Sequence, residues 1–419
     1  MSQQNSDTPA SLAGAPWLVQ PETAAVFQAL GAAGYAARAV GGVVRNALLG
    51  LPVTDIDIAT PARPEAVIAA CSAAGLATVP TGLAHGTVTV VAGGIAHEVT
   101  TLRADVETDG RRATVAFTDD WAEDASRRDF TMNALYCDVA GIVHDPLGGL
   151  ADLLARRVRF IGDPDQRIAE DYLRVLRFFR FHAVLGKGSL DASGMAACIR
   201  GRAGLVRLSA ERVHAELLKL LTGPRALDAV AAMGDCGLLP LILRVAPRPG
   251  VLAALIEAEA HLGRAPDAML RLSALALAVD EDIPALAGHL RLSNAERAAL
   301  WVIDQRLERM FAGLSGTPAR RLLYHLGTDR WRQSLLGLLA ANPTHATRVH
   351  VGKLLQLAAD WPLPRLPVKG ADVLQLGIAP GPDVGAILAE VEAWWIVHDF
   401  PDEAQVRDQL AAIARRRKG

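Results

Sequence analysis

Apolar and polar residues alternate most sharply at Asp55-Ile56-Asp57-Ile58. A period of two marks a half-buried β-strand, with Ile56 and Ile58 on the core side and Asp55 and Asp57 together on the other. Around this stretch the pattern predicts a helix over 21–33, a strand over 35–40, and a short helical run after Gly41-Gly42 that closes at Gly50. A turn through Pro52 leads into the acidic strand, and a helix over 63–74 follows with Pro64 in its first turn. A glycine turn at 81–86 runs into a β-branched strand to Val91, and 96–102 reads as its partner strand, carrying Glu98. The polar segment 102–124, centred on Asp109-Gly110-Arg111-Arg112, is expected to be a mobile loop. Residues 127–135 are expected to open a helix, and 145–152 to make a tight turn leading to 159–164.

Beyond Leu150 the strand signals nearly vanish and helical periodicity takes over. Helices are expected over 168–181, from 208 with Ser209 as N-cap, and over 250–262, 268–279, 294–311 and 318–326. The fold class is therefore α+β, a small mixed β-sheet with helices followed by an all-α remainder. The first 15 residues are polar and expected to fray.

Composition narrows the classes. A chain of 419 residues has material for about two to four domains. It is 51% hydrophobic but only 5% aromatic, with abundant Ala, Leu and Arg, which favours helices. The net charge of −2 gives no global basic field, so a nucleic-acid partner would have to be held by local patches. Cys71, Cys137, Cys198 and Cys236 are scattered without a C-x-x-C pair, which argues against a zinc site and a disulfide framework and fits a reducing compartment. With no basic-then-apolar leader and no apolar run approaching 18 residues, a soluble, cytoplasmic protein without a membrane partner is expected.

Two stretches carry candidate chemistry. Two carboxylates on one strand face repel unless a cation lies between them, and a hard divalent ion with oxygen ligands, Mg²⁺ above all, suits that geometry. An isolated D-x-D is more often a solvated strand, but here Gly41-Gly42 and Arg45 precede it, a backbone open to an anion and a guanidinium that pairs with phosphate. Glu98 is either a third carboxylate for the metals or an outward, solvated side chain. Arg128 and Asp129 are candidates for a nucleotide's sugar and phosphates, against the alternative of a solvated helix start.

The second stretch is 168–181, where Asp171, Arg174 and Arg177 are spaced three apart and project near one helix face. As a surface ion pair they would contribute a few tenths of a kcal/mol. As a recognition pair, a carboxylate beside a guanidinium offers an acceptor and donors in fixed register. Cytosine presents an amino donor at N4 beside an acceptor at N3, and adenine presents the same sense at N6 and N1. Uracil and guanine present the reverse. Each good bidentate contact is worth about 1–3 kcal/mol of discrimination, with no nucleic-acid template needed.

Taken together, G-G-x-V-R, D-I-D-I-A-T, H-G-T-V-T-V, R-R-D-F-T-M-N-A-L, the D-P-x-x-G-x-x-D-L turn and E-D-x-x-R resemble the class II tRNA nucleotidyltransferase/poly(A) polymerase family, in order and spacing, over about residues 35–225. The segment 369–385 is also similar to the family's C-terminal element. The resemblance implies an extended N-terminus (1–19), a catalytic nucleotidyltransferase head (20–150), a neck that reads the base (151–225), a body (226–340) and a tRNA-binding tail (341–419). It implies Asp55 and Asp57 as Mg²⁺ ligands in a two-metal, in-line phosphoryl transfer, with Gly42 and Arg45 at the triphosphate. Arg128 falls on the family's nucleotide-binding arginine, Asp129 on its ribose partner, Asp171 and Arg174 on the base-reading pair, and Arg177 and Arg180 on further nucleotide contacts. The family usually places Asp after G-G-x-V-R, where this chain has Asn46.

The expected function is template-independent addition of CCA to tRNA 3′ ends from CTP and ATP. Poly(A) polymerase is the nearest alternative, but a basic, aromatic R-F element is expected in that group where this chain reads H-G-T-V-T-V. A partial CC- or A-adding enzyme and a non-catalytic RNA-binding relative complete the set. The intact acidic pair speaks against the last of these. His261, His289 and His325 read as packing or surface residues, while Arg320, Arg321, Arg330, Arg332 and 415–418 are basic enough to touch phosphate.

Overall fold

The computed structural model describes residues 10–109, 112–303 and 305–418. They divide into two units, one of 1–244 with 288–292 and one of 245–287 with 293–419. The five segments expected from the sequence are finer than this division.

The first unit is built on a seven-stranded sheet in the order β3-β4-β5-β2-β1-β8-β9. Its strands are β1 (Arg38–Val40), β2 (Ile56–Thr60), β3 (Ala77–Gly82), β4 (Thr87–Ala92), β5 (Ile95–Thr101), β8 (Tyr136–Cys137) and β9 (Val143–His144). β2 and β5 run parallel, with Asp57 opposite Glu98, and the other pairs are antiparallel, so the sheet is mixed as expected. Ile56 and Ile58 are buried and Asp57 is half-buried between them, which matches the alternation in the sequence. Helices α2 (Pro21–Ala32) and α4 (Pro64–Ala73) lie where periodicity put them, Pro64 opening the latter, while α3 (Gly42–Leu48) follows the glycine pair.

Three local expectations are corrected. Residues 10–19 are not frayed: Ser11 bridges Ile142, and α1 (Pro16–Val19) buries Trp17 and Leu18. Residues 1–9 lie outside the described residues. Within the segment expected as a loop, β6 (Arg103–Asp109) and β7 (Arg112–Phe117) form a second, two-stranded sheet, followed by α5 (Trp121–Ser126), while Gly110 and Arg111 at its expected centre lie outside the described residues. Nor does 127–135 open a helix. After α5 the chain is extended at Phe130 and makes one 3₁₀ turn, Thr131–Asn133, before β8. Thr131 is tied down by its hydroxyl donating to Asp152 (2.7 Å), on α6 (Gly149–Leu154).

The expected helix over 168–181 is two helices, α7 (Pro164–Glu170) and α8 (Leu173–Leu185). Asp171 breaks them: its backbone is extended (φ −152°, ψ 106°) and its carboxylate accepts from the Leu173 N–H at 3.0 Å, starting α8 afresh. Tyr172 fits in the break because residue 204 is glycine; a Cβ there would fall 2.0 Å from the tyrosine ring. α8 buries Phe178, Phe179 and Phe181. Phe130 lies 4.8 Å from Phe160 and 5.3 Å from Phe181, centroid to centroid, while Phe160 stacks on Phe178 at 5.4 Å. This aromatic cluster fastens the Arg127–Phe130 segment to α8. α9 (Ala192–Gly201) follows, and α10 (Ala210–Leu221) begins at Ser209, which stands at the N-cap position but makes no side-chain cap hydrogen bond.

The second unit is helical. Pro249–His261 and Ala268–Ala276 agree with expectation, whereas the helix expected over 294–311 is split into Asn294–Ala299 and Gln305–Phe311. Gly316–Ala341 runs well past the expected end and kinks at Gly327, whose φ of 72° is open to glycine. The C-terminal part of this unit packs Val373, Ile387, Val391, Trp395, Val406 and Leu410 into a core, with Tyr324 and Phe400 against it. Among the described residues no helix is long and apolar enough to cross a membrane, and all four cysteines are free and buried.

Candidate active site

A cavity of about 350 Å³ opens in the first unit, bounded by Gly41-Gly42 at the start of α3, Asp57 on β2, the 127–129 segment, and Asp171, Arg174 and Arg177 at the α7–α8 junction. Gly41 has φ 71° and sits 3.4 Å (as a built Cβ) from an Arg128 nitrogen, so a side chain there would be strained and crowded against that arginine. Asp57 is pushed up from the ordinary carboxylate range by burial, by Glu98 beside it and by Asp55, with Arg128 pulling the other way. Asp55 stands one residue before β2, exposed, and accepts from the Thr54 hydroxyl at 3.1 Å.

The arginines are braced by neighbouring groups. The Arg128 guanidinium donates to Asp124 at 3.1 Å, a carboxylate that also takes Arg127 (2.9 Å) and the Tyr136 hydroxyl (2.8 Å). Asp124 is disfavoured as an anion by burial, yet Arg128, Arg127 and Tyr136 together hold it below its usual range. Arg167 donates to the carbonyls of Arg127 and, at 2.6 Å, Arg128, fixing that backbone. Arg177 donates through Nε and Nη2 to one oxygen of Asp129 (2.7 and 2.5 Å), whose other oxygen accepts from Phe130 N and Asn133 Nδ2 (2.9 Å each). Four donors fill an ionised carboxylate. Burial opposes the Asp129 charge, and Arg177, Asn133 and Phe130 more than offset it.

Arg45 is held differently. Its Nη1 donates to Asn133 at 2.6 Å and its Nε and Nη2 to the Asn46 oxygen at 3.2 and 2.9 Å. Burial, aided by Arg180 and Arg177 nearby, lowers it to about 10 although Asp129 acts in the opposite sense. Arg45, Arg177 and Arg180 gather around the Phe181 ring at 5.1, 5.2 and 3.8 Å from its centroid.

Of the sequence-derived candidates, Gly42, Arg45, Asp57, Arg128, Asp129, Asp171, Arg174 and Arg177 line this one cavity. Asp55, Glu98 and Arg180 do not. Arg180 is turned to Glu216 on α10, at 2.5 Å, and Glu98 is exposed. Among the described residues no three His, Cys, Asp or Glu side chains are grouped to hold a metal, so Glu98 does not complete a cluster with the two aspartates. Asp171 and Arg174 face the cavity but do not pair with each other. Asp171 is bound by Arg212 at 2.6 Å, and Arg174 by Glu170 at 2.5 Å. Sequence reasoning missed Asn133, Phe181, Glu170 and Arg212 as parts of the site. Asn133 and Phe181 lie inside motifs already singled out, whereas the Arg212 contact spans 41 positions and has no local signal.

The family described as Poly A polymerase head domain matches residues 37–159, and the one described as probable RNA and SrmB-binding site of polymerase A matches 191–249. A CCA-adding enzyme of Levilactobacillus brevis is 33% identical over 389 residues, covering 90% of this chain and 94% of that protein. The chain belongs to the CCA-adding enzyme family. Its members include the human mitochondrial CCA tRNA nucleotidyltransferase 1, 33% identical over 90% of this chain and 86% of its own length. The crystal structure of the Bacillus stearothermophilus CCA-adding enzyme in complex with CTP is 31% identical, with a TM-score of 0.69 over 95% of this chain and 98% of that one. The protein is thus a nucleotidyltransferase, an enzyme of tRNA processing, with the α+β fold of this family.

Proposed function

We propose that the protein adds CCA to tRNA 3′ ends from CTP and ATP without a nucleic-acid template. One observation carries the reading: a half-buried carboxylate, a set of braced arginines and the acid–arginine junction share one cavity of about 350 Å³. The likeness to a structure described in complex with CTP supports it, at 31% identity.

Residues divide by chemistry. Arg45, Arg128 and Arg177 bind the triphosphate, each oriented beforehand by a hydrogen-bonded partner. The Asp171 carboxylate accepts from the N4 amino group of cytosine or the N6 amino group of adenine, and an Arg174 N–H donates to N3 or N1. Asp129 is filled by protein donors, which supports it as the brace of Arg177 rather than as an acceptor for ribose. Asp55 and Asp57 would hold Mg²⁺: excess negative charge on oxygen donors, with the Asp57 anion disfavoured by burial and by its acidic neighbours, fits a hard divalent cation. When bound, such ions would lower the pKa of the RNA 3′-hydroxyl and neutralise the departing pyrophosphate. The described domains then act as a catalytic head, a base-reading neck, and a body and tail that hold tRNA in the cytoplasm.

The test uses tRNA transcripts lacking CCA or only the terminal A, incubated with labelled CTP and ATP. Addition that stops after three nucleotides, or after one on the second transcript, is the expected result. Open-ended A tails would replace the reading with poly(A) polymerase. Asp55→Ala should abolish addition while tRNA binding persists, and turnover retained in that variant with metal supplied would overturn the metal assignment.

A further inference from the structure

We infer, resting on the nucleotide-addition reading above, that the open face of the seven-stranded sheet seats the RNA end, with the hydroxyls of Thr89 and Thr81 holding the ribose just before the terminal one. H-G-T-V-T-V has no task in that reading. Along β4 it buries Val88 and Val90 and leaves Thr87 and Thr89 half-buried on the other face. On β5 His97 and Val99 are buried, and the His97 ring lies 3.0 Å from the Thr23 hydroxyl of α2, so that face is the covered one. The opposite face carries a continuous row. Asp57 stands opposite Glu98, Glu98 opposite Thr89, and the Thr89 and Thr81 hydroxyls share a hydrogen bond at 2.8 Å. The row runs from the buried-side carboxylate of the cavity to β3 at the sheet edge, and a second pair, Thr87 with Thr100 at 3.0 Å, lies beside it.

The direction of attack selects the occupant. Gly41-Gly42 follows β1 and residues 127–129 precede β8, so the cavity lies on the β1–β8 side of β2, whereas β5, β4 and β3 extend on the other side. In an in-line displacement the attacking and departing oxygens stand on opposite sides of the phosphorus. With pyrophosphate leaving on the β1 side, the RNA 3′-hydroxyl arrives over β5. Neighbouring strands are about 4.8 Å apart, which puts Thr89 about 10 Å from Asp57, beyond the terminal ribose and in reach of the one before it. Chemistry selects the contact. A phosphate is repelled beside Asp57 and Glu98, whereas a ribose 2′-hydroxyl is neutral, both donates and accepts, and distinguishes RNA from DNA. Each threonine pair spends one hydroxyl hydrogen on its own bond and keeps the other to donate, with lone pairs left to accept.

Cross-strand threonine pairs also stabilise sheets, so the test must separate recognition from folding. Thr89→Val removes the hydroxyl and keeps a branched side chain of high strand preference. The full-length protein is assayed for A addition to tRNA transcripts lacking only the terminal A, unmodified or with one 2′-deoxy sugar at the last or second-to-last nucleotide. Thr89→Val should lower kcat/KM for the unmodified RNA about three- to tenfold, with KM for ATP and the melting temperature unchanged, and Thr89→Ser should restore it. In wild type the second-to-last 2′-deoxy sugar should cost a similar factor, and in Thr89→Val it should cost nothing more, the mark of one shared contact. Independent losses from variant and deoxy sugar, coupling to the last sugar instead, or wild-type kcat/KM in Thr89→Val would each overturn the inference while leaving CCA addition intact. Failure of the CCA reading shows differently: wild type then adds nothing to the unmodified transcript, and the inference falls with it.

Discussion

Replacing Asp129 by asparagine tests whether the arginine cluster depends on one buried carboxylate. The Asp129 side chain is 9% exposed, the Arg177 side chain 31%, and their contacts are 2.7 and 2.5 Å. An asparagine has one acceptor and one donor end, so whichever way it turns, its NH₂ meets either Arg177 or the donors of Asn133 and Phe130. Removing one member of a buried pair costs about 3–5 kcal/mol. The partial exposure of Arg177 moves the expectation to the lower end, about 2–3 kcal/mol. A unit of this size loses about 2–4 °C of melting temperature per kcal/mol, so the transition of the first unit should fall by about 4–12 °C. Differential scanning calorimetry reads this directly, and the double variant Asp129→Asn with Arg177→Met should recover much of the loss, because the stranded charge is gone. A fall of under about 1 kcal/mol, or a double variant no more stable than the single, would refute the reasoning.

Two further outcomes follow from the same geometry. Arg212→Ala frees Asp171 from its 2.6 Å partner, leaving only the Leu173 N–H to hold it; the CTP-over-UTP ratio of kcat/KM should fall about tenfold, and an unchanged ratio would remove Arg212 from specificity. Asp57→Asn should cut nucleotide addition about a thousandfold or more yet melt higher than wild type at neutral pH in the presence of chelator. The sign follows from linkage: the Asp57 pKa is raised in the folded state, so wild type loses stability as pH climbs from the ordinary carboxylate range through that raised value, and the advantage of the variant should vanish again as pH falls below it.

Local pattern made part of this legible. The alternation at 56–58 and the helix opened by Pro64 depend on neighbours in the chain and formed as read, although Asp55, expected on the strand beside Asp57, stands one residue before it. Other elements depend on competition. At Asp171 the three-residue spacing fits an unbroken helix, and only the ability of a carboxylate to take the Leu173 N–H stops it. The β6–β7 pairing, with Asp109 opposite Arg112, is masked in the sequence by the polarity of its residues. The partners of the site arginines could not be read at all. Arg177 meets Asp129 across 48 positions, which the packed aromatic cluster closes, and Arg45 meets Asn133 across 88, which the pairing of β1 with β8 closes.

Those partners also order what the cavity does. On the proposed reading the arginines offered to phosphate are already held, Arg128 by Asp124, Arg177 by Asp129 and Arg45 by Asn133 and Asn46, so an anion meets donors already aimed. Base reading starts from the opposite condition, because Asp171 is engaged by Arg212 and Arg174 by Glu170. A base must share or exchange those contacts, so the discrimination it earns is a difference between its own hydrogen bonds and those it disturbs. Cytosine and adenine return an acceptor and a donor in the sense the pair needs. Uracil and guanine disturb the same contacts and return opposed dipoles, leaving half-buried polar groups unmet. On this reading the partners outside the base pocket sharpen selection, and weakening them should relax specificity more than it weakens triphosphate binding.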